Sequence, residues 1–259
     1  MGGESTTRTA PRSGGTGMGP VGSRTGRMVS GAAVALGFVL FVAGFAWGAV
    51  LYRPYTVPTS SMTPTIDAGD RVLAERVDGD EVRRGDVVVF KDTSWVTNAL
   101  VVKRVVAVGG DTVACCTDGK LTVNGKQIDE PYLPAGTAAE ISNFPTVTVP
   151  KGRLFLLGDE RQGSLDSTAH LTDAAQGTVA QSAVSARVDA VVWPMNGMLQ
   201  RPTGFEALGA LSTPGPLRLI LTLIVAGGVL VLAGGAYGPV AKRLGGRRSP
   251  GRTEPAGAH

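Results

Sequence analysis

The sequence predicts a mainly β, antiparallel domain carried on two apolar helices. Three observations lead there. Two long apolar runs lie towards the ends of the chain, and the stretch between them is a series of short valine-rich runs broken by turn residues. The charge is also divided: residues 53–216 hold 15 Lys and Arg against 19 Asp and Glu, and the remaining ends hold 10 against 2. The folded middle is therefore slightly acidic. A nucleic-acid partner is excluded, because it would need the basic residues gathered on the folded part.

Residues 1–28 are mostly Gly, Ser, Thr, Arg and Pro. That composition buries no core and is expected to be disordered. The first span, residues 29–52, runs from Val29 to Tyr52 without a charge, and about 20 apolar residues suffice to cross a bilayer. Ala46-Trp47-Gly48 offers a small-x-small triplet where a secretory leader could be cut. The run exceeds the roughly 7–15 apolar residues of a leader core, so an uncleaved anchor is the reading adopted. The second span, residues 217–238, is interrupted only by Arg218 near its start, where a long side chain can reach the interface. Its glycines, among them Gly227 and Gly234, are better tolerated in membrane helices than in soluble ones. Arg24 and Arg27 precede the first span, and Lys242, Arg243, Arg247 and Arg248 follow the second. Basic flanks stay in the cytoplasm, so both termini are expected inside, with residues 53–216 on the extracytoplasmic side. Residues 239–259 would be a basic cytoplasmic tail.

Between the spans, strands are expected at Arg71–Val77, Asp86–Phe90, Leu100–Val108, Thr112–Ala114, Leu121–Val123, Thr146–Val149, Arg153–Leu157 and Val184–Trp193. The runs are short, mostly rich in Val and punctuated by turn residues such as Gly, Asp and Pro, the pattern of strand rather than helix. Asn124-Gly125 is the sequence of a two-residue type I′ hairpin turn. Cys115 and Cys116 are the only cysteines. Being adjacent they cannot staple distant segments; they are read as two small, partly buried residues, with a vicinal disulfide as the alternative.

The chemistry is narrowed by what is missing. His170 is the only histidine between the spans; it sits in a polar loop and is read as a solvated residue. A metal site needs three or four ligands, and two histidines with one vicinal cysteine pair do not supply them. A serine can instead be activated by a lysine that burial has made neutral. Of the six lysines, Lys103 alone stands inside an apolar strand-like run, sharing a face with Val101 and Val105 while Arg104 points the other way. Residues 56–65, Thr-Val-Pro-Thr-Ser-Ser-Met-Thr-Pro-Thr, crowd hydroxyls just after the first span. They are either a polar linker or the loop of a nucleophile.

Four blocks in order resemble the type I signal peptidases, membrane-bound Ser-Lys endopeptidases that remove signal peptides. They are Pro58-Thr59-Ser60-Ser61-Met62-Thr63-Pro64-Thr65, then Arg84-Gly85-Asp86-Val87-Val88-Val89-Phe90, then Lys103-Arg104-Val105-Val106 leading to Gly110-Asp111. The last is Gly158-Asp159-Glu160-Arg161 with Ser164-Leu165-Asp166-Ser167. The likeness covers roughly residues 52–194. It implies Ser61 as nucleophile and Lys103 as general base, with Thr59 in the oxyanion hole, Ser164 orienting the lysine and Asp166 in support. It implies shallow pockets walled by Val57, Pro58, Thr59, Met62 and Ile66 on one side and Val101 and Val102 on the other. These would admit small residues in an Ala-x-Ala pattern before the cut, with the substrate bound as an added strand. The implied partners are signal peptides of secretory preproteins, the lipid bilayer and a secretion translocon nearby; no cofactor is implied. Two departures stand out. Glu160-Arg161-Gln162-Gly163 replaces the usual Asn-Arg-Asp-Asn, and Thr168 stands where the family has an Arg. The alternative function is a catalytically weak membrane-anchored β domain that binds exported polypeptides.

Overall fold

The computed structural model describes residues 24–135, 137 and 143–245, with side chains described within 25–237. The outer parts of the expected disordered ends, residues 1–23 and 246–259, lie outside the described residues. The chain divides into two compact units, residues 1–43 with 223–259, and residues 44–222.

Helix α1 (Arg24–Leu51) begins five residues before the expected span, and α2 (Leu217–Gly245) continues past it. Residues 24–28 and 239–245, expected outside the spans, are thus helical, since an α-helix satisfies its own backbone groups without needing an apolar sequence. Thr25–Leu51 and Leu217–Tyr237 are each long and apolar enough to cross a membrane. Within the first unit the two helices meet through small residues. A Cβ on Gly37 would lie 2.7 Å from the Gly227 carbonyl oxygen, and one on Gly227 would lie 2.6 Å from the backbone N of Phe41. Ser30 donates to the Gly234 carbonyl at 2.7 Å. Glycine and serine at such an interface let helices approach without a polar core. Phe38, Val39, Val229 and Leu232 are exposed on the outside.

The second unit is β-rich. In chain order the strands are β1 (Tyr52–Thr56), β2 (Arg71–Glu75), β3 (Val87–Phe90), β4 (Val101–Val108), β5 (Thr112–Thr117), β6 (Lys120–Val123), β7 (Lys126–Gln127), β8 (Phe144–Thr148), β9 (Arg153–Leu157), β10 (Val179–Ala180), β11 (Val184–Trp193) and β12 (Gly197–Met198). They form an eight-stranded sheet ordered β1-β2-β11-β3-β4-β9-β10, with β12 on β11, and a four-stranded sheet ordered β7-β6-β5-β8. Every pairing is antiparallel. The expected strands are present within a few residues. β1 was not expected: Tyr52 was assigned to the first span, and Arg53 and Pro54 hid a strand that starts on the residue after α1 ends. It pairs with β2 from Tyr52↔Glu75 to Thr56↔Arg71.

The valine runs are explained by burial on both faces of the large sheet. Val87 and Val89 pack with Val72, Ala74, Ala186 and Val188, whereas Val88 and Phe90 pack with Val105, Leu154 and Leu156. A third cluster joins Val106, Phe155 and Leu157 to Val113, Leu121 and Val123 of the small sheet. Asn124 and Gly125 both have positive φ, 53° and 74°, between the paired β6 and β7, as the type I′ turn demands. Cys115 and Cys116 lie in β5 and are joined to each other.

A buried polar cluster ties β1, β2 and β11 together. Tyr52 donates to Asp189 at 2.9 Å, Arg187 pairs with Glu75 at 2.5 Å, and Arg201 pairs with Asp189 at 2.7 Å. Ser212, shortly before α2, donates to buried Asp86. The segment entering α2 packs against the same groups, because Gly215 leaves no room for a Cβ beside Tyr52, Asp189 and Glu75.

Candidate active site

The hydroxyl-rich stretch is an ordered loop between β1 and β2. Met62 and Ile66 in it are fully buried and bridge each other, pinning the loop to the core. They lie beneath the cleft and do not line it, so the expectation that they wall a pocket is corrected: burial commits them to holding the loop. The hydroxyls around them have separate partners. Thr63 donates to Asp67 at 2.9 Å, Thr65 donates to Asp159 at 2.5 Å, and Thr59 donates to Ser61 Oγ at 3.3 Å. The Ser61 carbonyl accepts from the Glu160 amide at 3.2 Å, which links the loop to the Gly158–Arg161 block.

Lys103 comes from β4, where it pairs across from Val88. Its side chain is 3 % exposed, and Nζ stands 2.6 Å from Ser61 Oγ. Burial pushes the ammonium down from 10.5 to about 8, against the upward pull of the Asp166 and Asp159 carboxylates. Neither carboxylate forms an ion pair with Lys103 among the described residues. Asp159 is taken by Arg104, with contacts of 2.9 and 2.6 Å. Asp166 accepts from the amides of Gly158 and Thr168 and from the Thr168 hydroxyl, at 2.9, 3.0 and 2.7 Å. Thr168 thus takes up an Asp166 oxygen without bringing a charge.

Ser164 is buried, and its hydroxyl has no hydrogen-bond partner among the described residues. The lysine-orienting bond that the resemblance implies is not made in this structure. Ser164 lies against Gly158, where any Cβ would collide with the Ser164 side chain and the Ser61 carbonyl. His170 is away from the serine: it stacks on Trp95 and contacts Asp173 at 2.8 Å. The expectation of a solvated histidine is therefore corrected in part: one face of the ring lies on the indole, and the side chain keeps 18 % of its surface exposed.

Ser61 and Lys103 open onto a cleft of about 330 Å³. Val57, Pro58, Thr59, Val101 and Val102, which the resemblance implies as pocket walls, are among its lining residues. Leu165, Gly163, Val96, Ala99 and Leu100 also line it and were not anticipated. Leu165 falls at the unspecified position of Ser-x-Asp-Ser; the other hint would have been Val96 and Leu100, large apolar residues in an otherwise polar loop.

A serine oxygen within reach of a buried amine of lowered basicity is the arrangement of a nucleophile beside its general base. A hydroxyl next to it and an apolar groove beyond complete the candidate active site. Comparison narrows the class. The model of the signal peptidase, peptidase S26 family matches residues 29–193, and the chain belongs to that family. It is 36% identical over 191 residues to signal peptidase I of Mycobacterium tuberculosis strain H37Rv, covering 55% of this chain and 65% of that protein. It is 35% identical to signal peptidase I of Bacillus amyloliquefaciens, over 58% of this chain and 78% of the other. A signal peptidase I structure from Enterococcus faecalis V583 aligns at 28% identity with a TM-score of 0.33, over 46% of this chain and 96% of that one.

Proposed function

We propose that this chain is a membrane-anchored serine endopeptidase that cuts signal peptides from exported preproteins after small residues, using Ser61 and Lys103 as a dyad. The observation that carries the reading is the 2.6 Å contact between Ser61 Oγ and a lysine nitrogen whose burial lowers its basicity. In the neutral form Lys103 accepts the Ser61 proton as Oγ attacks the scissile carbonyl carbon. The developing oxyanion accepts hydrogen bonds from the Thr59 hydroxyl and the Ser61 backbone N–H. As the C–N bond breaks, Lys103 returns the proton to the leaving amine and leaves Ser61 acylated. Water, deprotonated by Lys103, then attacks the ester and restores the serine.

Substrate recognition follows from the cleft. Val57, Pro58, Val101 and Val102 are among its lining residues, apolar side chains that suit an extended peptide with small side chains. Asp166 acts on the lysine through its charge alone, and Ser164 would support it only if its unpaired hydroxyl turned towards Nζ when substrate binds. On this reading the two apolar helices anchor the chain in a bilayer, with both termini inside, residues 53–216 outside and a translocon nearby; the basic residues flanking the spans support that orientation.

The test is cleavage of a precursor by the purified full chain in detergent. Ser61→Ala and Lys103→Arg should each lose at least about a thousandfold in turnover, and the double variant should be no worse than either, because the pair acts as one unit. Guanidinium holds its proton at any usable pH. An active Lys103→Arg protein would end the proposal.

A further inference from the structure

The cleft has two banks that meet beyond it. One bank is the segment 163–170, in which Gly163 and Leu165 line the cavity and Asp166 caps the short helical turn Ser167–His170. The other is the loop 91–100 between β3 and β4, whose Val96, Ala99 and Leu100 line the same cavity. Neither Trp95 nor His170 lines it. Their rings stack on each other, with centroids 4.6 Å apart and planes 10° from parallel.

Both halves of this stack are anchored. The Trp95 amide donates to the Asp92 carbonyl at 3.2 Å, and the indole meets fully buried Phe90 edge-on at 5.4 Å. On the other side, Ser167 accepts from the Leu156 amide of β9 at 2.8 Å, and His170 contacts Asp173. Each ring is thus joined through a few bonds to residues at the cleft mouth: Trp95 directly precedes Val96, and His170 lies five residues after Leu165. Leu100 and Leu165 stand there 47 % and 70 % exposed. Large apolar side chains left in solvent on both banks of one cavity are suited to contact with a ligand.

We infer that the Trp95–His170 stack sets the width of the cleft mouth, making both residues positioning residues that help to restrict the cleft to small side chains. The inference rests on the peptide-cleaving reading of this site. An aromatic pair resists separation in a way that a loop alone does not. While it holds, the Val96–Leu100 bank cannot swing away from Leu165; without it, the mouth widens and grips a small residue less closely.

The experiment uses the purified full chain and two precursors, one with Ala-x-Ala before the cut and one with Val at the third position before it. For Trp95→Ala and His170→Ala, KM for the Ala-x-Ala precursor should rise roughly three- to tenfold, the scale of a lost aromatic pair, with kcat unchanged. The preference for Ala-x-Ala over the Val precursor in kcat/KM should fall at least about threefold. His170→Phe, which keeps a ring, should restore both. An unchanged preference in a folded His170→Ala protein overturns the inference, as does a His170→Phe protein that behaves like His170→Ala. A Ser61→Ala protein that still cleaves would instead sink the dyad. A readout independent of turnover uses Trp47→Phe/Trp193→Phe protein, in which Trp95 is the single tryptophan. In this background His170→Ala should raise acrylamide quenching of Trp95, because the ring stacked on the indole is gone, and His170→Phe should restore the protection; equal quenching in His170→Ala and parent contradicts the inference.

Discussion

Lys103 and Arg104 are neighbours on β4, both almost fully buried, and their surroundings differ in one respect. On the Arg104 side every strong donor is matched: two contacts to Asp159, one to the Gly85 carbonyl at 2.9 Å, and the face of Tyr132 at 3.9 Å. Burial works against that charge, but Asp159 outweighs it, and Arg104 is held more firmly protonated than usual. On the Lys103 side the nearest partner is a neutral serine oxygen, and burial prevails. The same strand and the same degree of burial produce a structural cation in one pocket and a proton acceptor in the other. What separates them is whether a carboxylate reaches the nitrogen. Asp166 and Asp159 both pull on Lys103, yet their own hydrogen bonds are spent elsewhere.

The comparison can be broken most forcefully from the Arg104 side. Asp159→Asn strands a buried guanidinium and should cost about 3–5 kcal/mol, measured as a lowered thermal midpoint in detergent. Replacing both partners together, Arg104→Met with Asp159→Leu, should recover most of that loss, because a buried ion pair contributes little over apolar groups of similar size. If the double variant is as unstable as the single, the pair is not what holds this side.

On the Lys103 side the comparison is sharpened by pH. The acting form is the neutral amine, so kcat/KM should climb through about 8 and level above it. Two pH units below that value it should be down roughly a hundredfold. A pH profile that is flat below 8 would mean that Lys103 is not the titrating base.

The smallest effect concerns stability. With the folded pKa near 8 and an ordinary value of 10.5, the unfolded chain binds more protons between these limits, so stability rises with pH across that window. Below pH 8 the native protein carries the full cost of a buried ammonium. Lys103→Met should relieve it and raise stability there by about 1–3 kcal/mol, with little gain above pH 10.5. A Lys103→Met protein less stable than the parent at neutral pH would show that the lysine is held by attraction, as Arg104 is.

Much of this was legible in the sequence. Short Val-rich runs announced the strands because a sheet covered on both faces needs apolar side chains at successive positions. Lys103 stood out as the one lysine inside such a run. Arg104 was less readable: alternation places it on the opposite face, but only the fold brings Asp159, 55 residues later, to meet it. Met62 and Ile66 were misplaced for a related reason. A loop of hydroxyls gives no periodicity to tell which apolar residues face a groove and which anchor beneath it. The stacking of His170 on Trp95 joins a single short helical turn to an irregular loop, where no repeat pattern predicts contact.

The step from α1 into β1 leaves no linker, since Leu51 ends the helix and Tyr52 already pairs with Glu75. Ser61 follows ten residues after Leu51, and half of that path is paired strand rising about 3.3 Å per residue, with Met62 locked into the core just beyond. A slack loop would let the serine search along a substrate. Within residues 44–222 it has no such freedom: on the function proposed, the fixed place of Ser61 beside the sheet joins side-chain size in choosing the peptide bond to be cut.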